Sequence, residues 1–108
     1  MTRVKILRKD GRITALTADG HTDFGEEGED VVCAALSSVI QTAVLGLLKV
    51  AAIPLEYKIL DQSGSLEFKV PDNLSEGDRK AADIILETML CGIADLHEGF
   101  SKYIKLEV

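Results

Sequence analysis

His21 and Cys33 are the two side chains whose types and spacing suit nucleophilic chemistry. The cysteine lies in the run Asp30-Val31-Val32-Cys33-Ala34-Ala35-Leu36-Ser37, which opens a helical pattern. The histidine follows Gly20, upstream across an acidic loop punctuated by Gly25 and Gly28. Sulfur at a helix start sits beside backbone N–H groups that have no intrahelical partner, which favours the thiolate. The helix dipole alone contributes about 0.3–1 kcal/mol, too little to ionise an ordinary thiol at neutral pH. A cationic partner is needed, and His21 fits: as imidazolium it stabilises a thiolate, and it can return a proton to a leaving amine. Opposing this, residues 19–30 hold Asp19, Asp23, Glu26, Glu27, Glu29 and Asp30 with no Lys or Arg, and negative charge disfavours a thiolate. The glycines allow this loop to move, so it is expected to gate the site, and its charge to draw in a basic peptide.

Around the pair, several residues have two readings each. Asp30 either caps the helix, which would make Cys33 its third residue, or orients His21 as the third member of a triad. Ser37 lies one turn after Cys33 and Gln41 one turn further, so the three share a helix edge. The Ser37 hydroxyl either serves the thiolate or a substrate carbonyl, or bonds back to the carbonyl of residue 33. Cys33 itself is either a nucleophile or a small buried hydrophobe. Cys91 is assigned to core packing, and His97 to the last turn of a helix, where a cation suits the C-terminal carbonyls. A zinc site would have to use His21, Cys33, Cys91 and His97 with no close pair such as C-x-x-C, so no metal is expected. Neither a Walker-type nor a dinucleotide-type glycine loop occurs, so no cofactor is expected either.

The elements that position these residues follow from spacing. Residues 4–9 and 12–18 are β-rich runs on either side of Asp10-Gly11, a strong hairpin signal. From residue 31 to about residue 50, helix formers outnumber breakers, and Pro54 lies just beyond. Leu55, Tyr57 and Ile59, then Leu66, Phe68 and Val70, alternate with polar residues around Gln62-Ser63-Gly64, which predicts a second hairpin with one wet face. Ser75 with Asp78 resembles a capping box; Ala82, Ile85, Leu86, Met89, Ile93 and Leu96 form a helical stripe, and Gly99 is expected to end the helix in the left-handed conformation. Ile104, Leu106 and Val108 alternate as a last strand. The order ββαββαβ, with strands that alternate cleanly, predicts an α+β fold: a mainly antiparallel five-stranded sheet covered on one side by two helices.

A chain of 108 residues with 46% hydrophobic and 28% charged residues is expected to form one domain over residues 1–108. A net charge of −6 opposes a direct nucleic-acid partner and favours basic polypeptides. Residues 31–53 contain one charge, Lys49, but Ser37, Ser38, Gln41 and Thr42 interrupt them and no basic cluster flanks them, so no membrane span is expected. The absence of a signal-peptide pattern and of a cysteine framework points to free thiols in a reducing cytoplasm. The first helix is apolar nearly all round, through Val31, Leu36, Val39, Ile40, Val44, Leu45, Leu47 and Leu48. Such a helix is buried on most sides, which predicts a two-fold homodimer with this helix in the interface.

Gly20-His21, the acidic and glycine loop, and the run from Asp30 to Ser37 together resemble the signature of the ribosomal-processing cysteine protease family, Prp. The likeness extends to chain length, element order and the place of the motif, and so covers essentially the whole chain. It implies a homodimeric cysteine endopeptidase that removes a short N-terminal extension from a large-subunit ribosomal protein. By the same resemblance the nucleophile falls on Cys33 and the base on His21, with Gly20, Asp30 and Ser37 at supporting positions. Thr22 stands where the family pattern has a small apolar residue, and Leu36 where it has a β-branched one. The expected mechanism is thiolate attack on the scissile carbonyl, with His21 as base then acid and backbone N–H groups at the helix start as oxyanion donors. Two rivals keep the fold without this chemistry: a non-catalytic homodimer that binds ribosomal protein or assembly factors, and a redox-sensing thiol protein.

Overall fold

The computed structural model describes residues 2–19, 29–60 and 65–108. Two strands, β1 (Thr2–Lys9) and β2 (Arg12–Asp19), lead to helix α1 (Glu29–Leu45), whose last turn, Gly46–Val50, widens to π geometry. Strands β3 (Glu56–Leu60) and β4 (Ser65–Lys69), helix α2 (Glu76–Gly99) and strand β5 (Ile104–Glu107) complete the order. The first turn bears out its signal: Asp10 and Gly11 have φ of 54° and 79°, the paired positive values a two-residue hairpin requires. One irregularity the alternation does not reveal lies in this hairpin. Leu7 pairs with Ala15 but Arg8 with Ile13, which leaves Thr14 as a bulge whose carbonyl accepts the Val70 N–H at 2.8 Å.

The strands lie side by side as β3-β4-β2-β1-β5. Three of the pairings are antiparallel, but β1 and β5 run parallel, with Thr2 opposite Ile104. The expected mainly antiparallel sheet is therefore corrected to a mixed one. Alternation reports which face is wet, not which way a strand runs, and a parallel neighbour becomes available once α2 carries the chain back across the sheet. The wet face carries Lys58 across from Glu67 and Glu56 across from Lys69, opposite charges in register.

Both helices cover the other face. Val32, Leu36, Ile40, Val44 and Leu47 from α1 and its π turn, and Ala82, Leu86, Met89 and Ile93 from α2, bury against Val4, Ile6, Leu16 and Phe68. Val31–Val50 is long and apolar enough by composition to cross a membrane, yet in this fold one of its sides supplies much of the core. The helices run antiparallel, Gly46 meeting Ile85 and Gly92 meeting Val39, where a Cβ on Gly92 would stand 3.1 Å from Val39 Cγ1. Ser75 caps α2 as its spacing predicts, accepting the Asp78 N–H at 3.2 Å. The other end of α2 differs from expectation. Gly99 is still helical, and the helix closes at Phe100, φ −135°, whose N–H reaches the Leu96 carbonyl. Cys91 is exposed, which corrects its assignment to the core. It falls midway between Met89 and Ile93, on the side of the helix away from their stripe.

Candidate active site

Cys33 is half-buried near the start of α1, on the part of the helix that meets the first residue of β1. There Thr2 Oγ1 lies 2.9 Å from Cys33 Sγ. Thr2 is 7% exposed and is the buried polar residue of the core among the described residues. Its backbone N–H donates to the Tyr103 carbonyl at 2.9 Å, and its neighbour Arg3 pairs with Asp19 on one side and Lys105 on the other. Strand pairing therefore fixes the backbone that presents the hydroxyl, and β-branching restricts its rotamer.

Counted from Glu29, Cys33 is the fifth residue of α1. Its N–H thus belongs to the helix ladder, directed at the carbonyl of Glu29. The reading of Asp30 as N-cap is corrected, because Asp30 is already helical. Carboxylates suit the positive end of a helix, so α1 extends back into the acidic run instead of starting after it. The N–H groups left without helical partners belong to residues before Cys33.

Further along the helix, Gln41 Nε2 donates to Ser37 Oγ at 2.8 Å. The expected polar track exists, with a Ser37 partner that neither reading of that serine supplied. His97 lies in the last turn of α2, as its spacing predicts. Gly20, His21 and the acidic loop, residues 20–28, lie outside the described residues, as does the side chain of Asp30. The strand leading into Gly20 ends at Asp19, opposite Arg3 and one residue from Thr2. The described structure thus brings together the end of β2, the start of β1 and the cysteine of α1. Sequence reasoning missed Thr2: a lone threonine at the head of a strand has no pattern of its own, and its partner lies 31 residues away. Among the described residues, no three His, Cys, Asp or Glu side chains gather as a metal site would need.

A half-buried thiol on an early helical turn beside a hydroxyl is an arrangement that a covalent nucleophile can use. A sequence model of the cysteine protease Prp family matches residues 1–105, and the chain belongs to that family. The ribosomal processing cysteine protease Prp of Staphylococcus aureus is 29% identical over 100 residues, which span 93% of this chain and 91% of the relative. Two crystal structures of the S. aureus protease, each 29% identical and covering 99% of this chain and 98% of that one, share the fold. The one in complex with a substrate peptide has a TM-score of 0.88. The other, with a covalently linked product peptide, has a TM-score of 0.82.

Proposed function

We propose that this cysteine protease removes a short, basic N-terminal extension from a large-subunit ribosomal protein, acting as a cytoplasmic homodimer. Cys33 attacks the scissile carbonyl as a thiolate, His21 having taken its proton. His21 then gives that proton to the leaving amine, and water activated by the same imidazole hydrolyses the acyl-enzyme. Free N–H groups at the start of α1, upstream of Cys33, are the oxyanion donors in this reading. Gly20 and Ser37 support the pair. The observation that carries the reading is the Thr2–Cys33 contact at the sheet end where β2 leads into Gly20-His21. The covalently linked product peptide of the S. aureus relative supports a covalent step.

A homodimer is supported by apolar side chains that one chain leaves in water: Val31 is 73% exposed and Val50 84%. The acidic residues 19–30 fit a basic substrate. Incubating the purified chain with a peptide spanning the precursor extension, with mass spectrometry of the products, tests the activity. One cut is expected, slowed by salt at low peptide concentration, and Cys33→Ala reduces the rate by roughly 10³-fold or more while circular dichroism is unchanged. Cleavage that survives Cys33→Ala overturns the assignment.

A further inference from the structure

We propose that Thr2 is a positioning residue for the nucleophile: its hydroxyl donates to the Cys33 thiolate and holds the sulfur in its attacking rotamer. The inference rests on Cys33 being the nucleophile. Four observations carry it. The two atoms are 2.9 Å apart. Thr2 is buried at 7% exposure, so its side chain is largely withdrawn from water. The strand end that presents it is pinned by the Tyr103 carbonyl and by β2 and β5 pairing to Arg3. Finally, the N–H of Cys33 is committed to the helix ladder, so the residue cannot solvate its own sulfur.

The contact works differently in each state of the sulfur. As a thiol, Cys33 can donate to the Thr2 oxygen, or accept from it. As a thiolate it can only accept, so the hydroxyl rotor turns its hydrogen toward sulfur as the thiol proton leaves for the base. No covalent bond to Thr2 forms or breaks. A thioester sulfur is a weak acceptor, so the bond is strong while sulfur attacks and weak once the acyl group is on it. Removing the hydroxyl therefore slows acylation without touching the substrate.

Thr2→Val keeps the shape and deletes the hydroxyl, whereas Thr2→Ser keeps the hydroxyl. Two readouts separate the inference from a merely structural role. The first is iodoacetamide alkylation of Cys33 in the free enzyme, followed by peptide mass spectrometry, with exposed Cys91 in the same chain as the internal reference. The second is kcat and KM on the precursor peptide. Thr2→Val is expected to slow both Cys33 alkylation relative to Cys91 and kcat by roughly 10- to 100-fold, the weight of a hydrogen bond to a charged acceptor. KM stays near its wild-type value, and Thr2→Ser restores most of both rates. The inference is overturned if Thr2→Val reacts and turns over like wild type, or if Thr2→Ser is as slow as Thr2→Val. Because alkylation does not depend on turnover, a Cys33→Ala enzyme that still cleaves would sink the protease assignment to Cys33 separately. If Thr2→Val melts lower, the ratio to Cys91 still reports the sulfur alone.

Discussion

Asp30 stands three positions before Cys33, inside α1, where a negative charge is favoured by the positive end of the backbone dipole. Asp30→Asn removes that charge and keeps the shape. It is expected to lower unfolding free energy by about 0.3–1 kcal/mol in denaturant titration, with cleavage near normal. A fall of several hundredfold in kcat at unchanged stability would instead assign it to the orientation of His21. Tyr57 gives a second test at this scale. Partial burial on β3 raises its pKa above the ordinary value, because desolvation penalises the phenolate. The unfolded chain then loses its proton first, so stability is intact below about pH 10 and declines as pH rises above it. Tyr57→Phe should flatten that decline in unfolding curves taken between about pH 9 and pH 11; identical slopes would show that the ring does not contribute. Cys33 and Ser37 were legible in the sequence as types in a pattern. Thr2 was not, because its meaning arises from a contact that spacing along the chain does not encode.

Among the elements, the end of α1 holds a local conflict. The π turn closes with the Ala51 N–H on the Gly46 carbonyl, and the chain then leaves through Ala52 at φ 54°, a left-handed conformation that a side chain resists. Glycine tolerates this backbone, and Ala52→Gly is expected to raise stability by about 1 kcal/mol in thermal or denaturant melts. An unchanged or lowered midpoint would mean that the methyl group contributes packing that outweighs the strain. Local chemistry made most elements readable. Asp10-Gly11 specified its turn, Ser75 its cap, and the stripe of α2 its buried face. The direction of β5 and the bulge at Thr14 depend on partners distant in sequence, which alternation cannot report, and a lone Gly99 does not mark the end of α2, which closes one residue later on the Leu96 carbonyl.

For the whole molecule, the α+β class was legible because the strands alternate and the helices do not, whereas the sheet order needed the tertiary structure. The apolar excess of the first helix was legible too, and the fold accounts for half of it: Val32, Leu36 and Ile40 are buried, while Leu45 stays 49% and Val50 84% exposed. Light scattering after size exclusion should give about twice the 11.7 kDa chain mass, and the double change Leu45→Lys with Val50→Lys should shift it to the monomer. A wild-type monomer would remove the dimer from the proposed function. The parallel pairing of β1 with β5 bears on biosynthesis as well. Thr2 precedes Cys33 in the chain, but the carbonyl that anchors its backbone belongs to Tyr103, far beyond that cysteine in sequence. Pairing between such distant segments waits for the intervening chain. Cys33 is therefore synthesised before the strand end beside it can be completed, and that part of the sheet waits for the segment after α2 to be made.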